Sequence, residues 1–418
     1  MKILVVHNRY RSVLPSGEDR VVDQEIDLLR RAGHDVTWFG RQSDDIARMP
    51  LTQKAMVPLR VPWNGAVRSQ LAERLRCDRP DVVHVHNTFP LLSPSVLDAC
   101  REAGTPVVAT LHNSILVCPI GTLMRKGQAC GECVGRIPLP AVRHGCYRDS
   151  HLASVPMAIN LMVNRGRWLA GVSRFLCVSH AHRRILVAAG LPADRLSVKH
   201  HFVHDTPFRR AEPGEYVLFL GRLTEDKGLP LLMAAWERTD TGGVPLVVAG
   251  DGPLREEFLE WARDRGDVRY AGLVSHEECR GLLASAAALV APSKARESFG
   301  LVLTEAMAAG VPVVASGHGG FTDIVEHGVT GLLHKPFDAA SLSDELGRVL
   351  SDMEFNMTLG RAARRAYEHR FSPDVGLAAL LEAYHAVISP SDGMIEAGRR
   401  SLPEADKVAG QRDRREIR

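Results

Sequence analysis

The feature that most restricts the fold is an alternation that runs twice. Short β-rich apolar runs lead into stretches of helical period, in two series separated by one polar, Pro-marked break. In the first series residues 3–6, 35–39, 81–86, 107–111 and 175–178 read as strands, and residues 21–31 and 153–167 as helices. Residues 205–214 interrupt the pattern and are the expected linker. Residues 216–220, 245–249, 268–270, 289–291 and 311–315 then read as a second set of strands, with a last helix at 371–388. Strands that alternate with helices belong in a parallel sheet, because a parallel crossover needs a dozen or more residues and usually spends them on a helix. The expectation is therefore an α/β chain of two tandem Rossmann-like, doubly wound domains facing across a cleft. The first spans 1–208 and the second 209–371. Residues 372–388 form a C-terminal helix that packs back towards the first domain, and 389–418 form a charged, flexible tail. Sheets of this kind bind ligands at the carboxyl ends of their strands.

Composition narrows the functional classes. With 45% hydrophobic and 24% charged residues, the 418-residue chain is neither disordered nor fibrous. No apolar run approaches the roughly 18–20 residues that a membrane span needs. Met1-Lys2 leads straight into an apolar run too short for a secretory leader, so the expected location is the cytoplasm, either free or peripheral at the inner face of the membrane. The net charge of +3 hides a split. Residues 1–210 carry 29 Lys and Arg against 17 Asp and Glu (+12), and residues 211–418 carry 23 against 32 (−9). A basic first half suits an anionic membrane or phosphate-bearing substrates, and the acidic second half is a poor partner for nucleic acid.

The densest chemical signal runs from Pro292 to Met307. A strand ends in a turn carrying Glu297, Gly300 permits close approach of the backbone, and Leu301 opens a segment of helix-forming composition. A helix N-terminus aims its free N–H groups at an anion. Glu297 and Glu305, eight residues apart, put one carboxylate in the loop and one inside the helix. Ionised carboxylates accept hydrogen bonds from vicinal hydroxyls, so the pair suits a polyhydroxylated, phosphate-bearing ligand. Two glutamates alone would be read as a solvated helix face.

In this spacing, Glu297-x7-Glu305 with Ser298-Phe299-Gly300 between, the chain resembles the retaining glycosyltransferases of family 4, glycosyl transferases group 1, which have the GT-B fold. Gly221-Arg222-Leu223 through Lys227-Gly228 is similar to the family's phosphate loop after the first strand of the second domain. Gly250-Asp251-Gly252-Pro253, Tyr270-Ala271-Gly272-Leu273 and the stretch holding Gly319-Gly320 follow in the family's order, and His84-Val85-His86-Asn87 and Leu111-His112-Asn113 fall at strand ends of the first domain. The resemblance covers about residues 1–388. It implies that Arg222 and Lys227 clamp a donor diphosphate, that Glu305 holds the ribose, and that Glu297 contacts the hexose. It places the Phe299, Gly300 and Leu301 backbone, with Gly250 and Gly272, around sugar, phosphate and base. It puts His112 near the anomeric centre, where a titratable imidazole can polarise at neutral pH. Gly17 matches the Gly-rich loop after the first strand, although Ser16 replaces one of the family's paired glycines and a plain helix cap is the other reading. His84 and His86 share one face of their strand and either reach the cleft or pack beneath it.

Four of the eight cysteines form Cys118-x11-Cys130-x2-Cys133-x12-Cys146. The spacing is compatible with a structural zinc site stapling an insertion after His112; one C-x2-C knuckle rather than two leaves reduced, unliganded thiols as the alternative. Cys77, Cys100, Cys177 and Cys279 read as core thiols.

The expectation is a retaining, metal-independent hexosyltransferase that needs no cofactor for catalysis. It would move a sugar from a nucleotide-diphosphate donor to a hydroxyl acceptor in cell-surface polysaccharide or glycolipid assembly, with an anionic membrane as a further partner. A soluble natural-product acceptor is one alternative and a GT-B nucleotide-sugar epimerase another, although no acid/base set for a sugar ring is identifiable. A dehydrogenase would need Gly-x-Gly-x-x-Gly after the first strand, which His7 to Ser12 does not supply. A non-catalytic homologue would have lost the carboxylates or the clamp.

Overall fold

The structure, a computed structural model, describes residues 1–10, 12, 16–210 and 212–389. The expected tail at 389–418 therefore lies, except for Ser389, outside the described residues. By their contacts the residues fall into two units. One comprises Met1–Leu123, Cys130–Lys199 and the residues from Gly376 onward; the other comprises Met124–Ala129 and His200–Val375.

The first unit is built on a six-stranded parallel sheet. Its strands are β1 (Lys2–Arg9), β2 (Asp35–Gln42), β3 (Val82–Val85), β4 (Val107–Leu111), β7 (Arg174–Cys177) and β8 (Leu196–Val198), in the order β2-β1-β3-β4-β7-β8. A two-stranded hairpin, β5 (Met124–Arg125) and β6 (Gln128–Ala129), falls between β4 and β7 in the chain. Side chains alternate across the sheet, and both faces are covered. Leu4 and Val6 of β1 join a core completed by Leu71, Val96, Leu97 and Trp168, while Ile3 and Val5 join one completed by Val22, Ile26, Leu29, Leu380 and Tyr384. The last helix, Pro373–Ile388, thus contributes Leu380 and Tyr384 to this unit. β8 escaped the sequence reading because it is three residues long and carries Ser197 at its centre.

The second unit repeats the plan with β9 (Tyr216–Leu220), β10 (Leu246–Ala249), β11 (Val268–Gly272), β12 (Ala286–Ala291), β13 (Val313–Ser316) and β14 (Gly331–His334), ordered β11-β10-β9-β12-β13-β14 and parallel throughout. Helices Leu229–Trp236 and Ala339–Ser351 press Leu232, Trp236, Leu342 and Leu346 onto the strand side chains Val217, Phe219, Val248, Val290 and Val314. The described residues of the Pro-marked stretch form no helix or strand, and they are pinned. Arg364 grips Asp205 with both amino groups and holds its carboxyl down at about 2, and Arg210 donates to Asn356 Oδ1 at 2.8 Å and to the Ala287 carbonyl at 2.9 Å. Two doubly wound parallel-sheet domains, as the alternation required, are the result.

Beneath the carboxyl ends of β1, β3 and β4 lies a buried polar cluster. Lys199 forms an ion pair with Glu25, and both residues are almost fully buried, at 2% and 1% exposure. His84 has both ring nitrogens engaged, Nδ1 with the Tyr384 hydroxyl and Nε2 with Thr110 Oγ1, each at 2.8 Å. Burial, and secondarily the Lys199 ammonium, holds its imidazole down at about 3. An unfolded histidine binds a proton near pH 6.5 whereas folded His84 does not, so stability is full above that pH and falls as pH drops from about 6.5 towards 3. His84→Gln should flatten the decline of the urea unfolding midpoint between pH 7 and pH 5. An unchanged slope would contradict this account.

Candidate functional site

In the second unit the strand order reverses between β9 and β12, and at such a switch point the two following loops diverge and leave a crevice. The loops are Gly221–Gly228 after β9 and 292–300 after β12. They meet backbone to backbone. A Cβ on Gly228, whose φ is +78°, would lie 1.9 Å from the Pro292 carbonyl oxygen, and the Asp226 carbonyl accepts from the amides of Lys294 and Ala295 at 2.9 and 3.1 Å. Gly250 (φ +139°), after β10, is under the same constraint, with the Gly221 carbonyl oxygen 1.9 Å from where its Cβ would be. The Gly272 carbonyl accepts from the Gly250 amide at 2.7 Å, and the Tyr270 hydroxyl donates to the Gly250 carbonyl at 2.9 Å, so the β11 end is fastened into the cradle.

This packing brings Lys227 and Glu297 together, with Nζ donating to Oε1 at 2.6 Å; Ser293 Oγ lies 2.9 Å from the same Oε1. Lys294 pairs with Glu225 nearby. Arg222 is held only loosely, 3.7 Å from Asp226 with its side chain 67% exposed. Gly300 precedes the helix Leu301–Ala308, whose first turn carries no acidic residue. Glu305 sits half-buried on its second turn. The Phe299 ring is buried against His200, His201 and Phe371, so only the backbone there is available to a ligand.

Three supports were not singled out from the sequence as site residues. The amide of Gly320 donates to the Glu297 carbonyl at 2.7 Å, and His318 Nε2 lies 2.9 Å from the Ser293 carbonyl. Since a carbonyl only accepts, that nitrogen carries the proton. With Ser293, these residues hold the Glu297 loop from behind. The signal was the Gly319-Gly320 turn itself, which marks a close backbone approach without naming what it approaches.

Gly17 and His112 belong to the first unit and are not among this group. Gly17 opens the helix Gly17–Arg31, whose cap is Ser16, its hydroxyl accepting from the Glu18 amide at 3.1 Å. His112 follows β4, half-buried, and its Nε2 lies 2.9 Å from Nδ1 of His86. His84 and His86 do share a face, with their rings 4.1 Å apart and both facing Glu25, and both are buried. Strand β3 runs beside the switch point between β1 and β3, where Asn8 and Asn87 tie the strand ends together.

Cys118, Cys130, Cys133 and Cys146 are part-buried. Burial pushes the Cys133 thiol up to about 11, with the other three sulfurs adding to the rise. Among the described residues, the group whose candidate ligand atoms lie within 4.8 Å of one another is a different one: Glu25, His84 and His86. Two of the expected core thiols are corrected. Cys77 is exposed, on the side of the helix Gly65–Asp78 away from its buried Val67, Leu71 and Leu75, and Cys279 is half-buried, whereas Cys100 and Cys177 are buried.

Comparison with known proteins bears on the family and the fold. Residues 15–206 match the family described as Glycosyltransferase Family 4, and residues 204–366 the family described as Glycosyl transferases group 1. The chain is 28% identical over 424 residues to glycogen synthase of Mycobacterium tuberculosis, covering 92% of this chain and 95% of that one. It is 27% identical over 423 residues to phosphatidyl-myo-inositol mannosyltransferase of Mycolicibacterium smegmatis, covering 96% and 97%. The crystal structure of Anabaena HepE in complex with UDP has the same fold, with a TM-score of 0.66 at 19% identity over 92% of this chain and 100% of that one. Matched in both halves and sharing this two-sheet fold, the chain belongs to glycosyltransferase family 4 and is a glycosyltransferase of the GT-B type.

Proposed function

We propose that the protein transfers a sugar from a nucleoside-diphosphate donor to a hydroxyl acceptor with retention at the anomeric carbon, and that Arg222 and Lys227 take the charge of the leaving group. The observation that carries this reading is the 2.6 Å pair of Lys227 with Glu297 at the switch point, beside the N-terminus of Leu301–Ala308. The two side chains are 30% and 22% exposed, so a ligand can reach them. A diphosphate competes with Glu297 for Lys227 and releases the carboxylate to accept hydrogen bonds from hexose hydroxyls. The loosely held Arg222 can swing in as a planar fork. As the glycosidic bond breaks, negative charge grows on the departing phosphate. The two cations and the amides at Gly300 and Leu301 stabilise it, so this reading calls for no catalytic metal ion.

Glu305 is assigned to the ribose, and Gly250 and Gly272 to backbone contacts with the nucleotide. Gly17 and His112 are the first unit's contributions to the donor. Retention follows the family resemblance: the acceptor attacks from the side the leaving group vacates, and its proton passes to the phosphate. HepE is described in complex with UDP and with UDP-glucose, which makes UDP-sugars the first donors to assay.

For the acceptor, the relatives named for glycogen and phosphatidyl-myo-inositol point to a polysaccharide or a glycolipid. No described helix is long and apolar enough to cross a membrane. The surface of the first unit favours a lipid-linked acceptor. Leu51 and Leu152 are each 83% exposed, and Trp63 and Val163 line a groove in which Arg68 pairs with Glu102, and Arg101 and Arg167 with Asp98. Exposed apolar side chains in a half of the chain with an excess of Lys and Arg suit an anionic bilayer surface. The four thiols are proposed to hold one structural zinc ion. Supporting this, a turn at Cys118 (its carbonyl accepting from Gly121) and the β5–β6 hairpin, closed by Cys130 N donating to Leu123 O at 2.8 Å, return the chain to the Cys130–Cys133 knuckle.

Three outcomes are expected. Arg222→Ala and Lys227→Ala should each lower kcat/KM with the preferred nucleotide sugar by about 10²–10³-fold, and Glu305→Ala should abolish the thermal shift that the free nucleotide produces; full activity in all three would refute the site. Sedimentation with anionic vesicles should occur at low salt and vanish near 0.5 M salt; no binding at low salt would remove the membrane from the account. Metal analysis of the purified chain should give about one zinc per molecule, lost in Cys133→Ser; a zinc-free, folded protein would leave the cysteines as thiols.

A further inference from the structure

The cluster beneath His112 is unused by the chemistry above. His86 is 6% exposed, and its Nδ1 lies 2.9 Å from His112 Nε2 with the two rings stacked. On its other side, His86 Nε2 faces Glu25 Oε2 at 3.8 Å, and neither of these two atoms has a hydrogen-bond partner among the described residues. The other carboxylate oxygen of Glu25 is held by Lys199. No hydrogen bond joins the two atoms at 3.8 Å, but the charge of the carboxylate favours a proton on the His86 nitrogen that faces it. Burial, reinforced by the charges that His84, His112, His7 and Lys199 would place beside it, keeps His86 neutral with a single proton, so Nδ1 is left as an acceptor. The shared hydrogen bond must then be donated by His112 Nε2.

We infer that Glu25 and His86 form a buried relay that fixes His112 as its Nε2–H tautomer, so that His112 Nδ1 meets the sugar ligand as a hydrogen-bond acceptor for one of its hydroxyls. The functional half rests on the proposed placement of His112 at the donor sugar. Glu25 and His86 are positioning residues. They touch no ligand and act by deciding which nitrogen of His112 donates. A rigid, preset acceptor discriminates a hydroxyl from a carbonyl or an ether oxygen at the same position, because only the hydroxyl can donate to it.

The same atoms invite a second reading, since Glu25, His84 and His86 offer ligand atoms within 4.8 Å of one another. Their partners argue against a metal ion. Both nitrogens of His84 are engaged, one by the Tyr384 hydroxyl and one by Thr110, and the ammonium of Lys199 already neutralises Glu25. A cation placed there would face that ammonium and displace the hydrogen bond between His84 Nδ1 and the Tyr384 hydroxyl.

The test reads the tautomer directly. In protein labelled with nitrogen-15 histidine, long-range proton–nitrogen NMR distinguishes a protonated from a lone-pair nitrogen in each ring, and His112→Gln identifies the His112 signals. The expected wild-type spectrum shows His112 protonated at Nε2 and not at Nδ1. The double variant Glu25→Gln/Lys199→Met removes both charges together, and His86→Gln breaks the relay at its middle; either should turn His112 into a mixture of tautomers. An Nδ1–H tautomer in the wild type, an unchanged tautomer in both variants, or a metal ion bound at Glu25 would overturn the relay, and the wild-type spectrum needs neither relay variant to fold. The functional half is read separately. His112→Gln should lower kcat on the order of tenfold or more with donor KM changed far less. Full turnover in that variant would overturn the role at the sugar while leaving the measured tautomer intact.

Discussion

The second unit depends on loops that touch through their main chains. With no room for a Cβ at Gly228 against Pro292 or at Gly250 against Gly221, the loops after β9, β10 and β12 lock into one surface. Everything chemical there follows from that contact. Lys227 is carried to Glu297, Ser293 is placed behind the carboxylate, and the N-terminus of the helix Leu301–Ala308 faces the same crevice. Had any of these contacts been made by long side chains, the loops would be free to slide by ångströms, and a diphosphate would meet a diffuse positive charge in place of a fixed one.

The first unit solves a different problem. Its sheet ends in histidines where the second unit has glycine loops, and those histidines stand on a buried ion pair. Removing one member of such a pair costs about 3–5 kcal/mol because the survivor is left charged and unpaired. The structure therefore keeps Glu25 and Lys199 together at considerable stake. What the arrangement secures is position: His84 is held between the Tyr384 hydroxyl and Thr110 Oγ1, and His86 lies against His112.

Much of this was legible in the residues. The strand runs, the switch from one series to the next, and the motifs at Gly221, Gly250, Glu297 and Gly319 lie in short contiguous segments, and local pattern is what a single sequence displays. The rest depends on partners distant in the chain. Glu25 and Lys199 are 174 residues apart and His84 and Tyr384 are 300 apart, so neither pair leaves a local trace. Strand β14 hid because Gly331-Leu332-Leu333-His334 is too short to show a period. Cys77 looked apolar by its neighbours but faces solvent, since it lies two residues, about half a turn, past Leu75 on the buried face of its helix.

The central claim is that the β9–β12 crevice is a diphosphate site. A crystal structure with an unreacted nucleotide-diphosphate sugar tests it most directly. The account predicts phosphate oxygens within hydrogen-bonding distance of Lys227 Nζ and the Arg222 guanidinium, with the backbone amides at Gly300 and Leu301 facing the phosphate and Glu297 turned to the sugar. A nucleotide bound away from these residues, with the Lys227–Glu297 pair undisturbed, would contradict it.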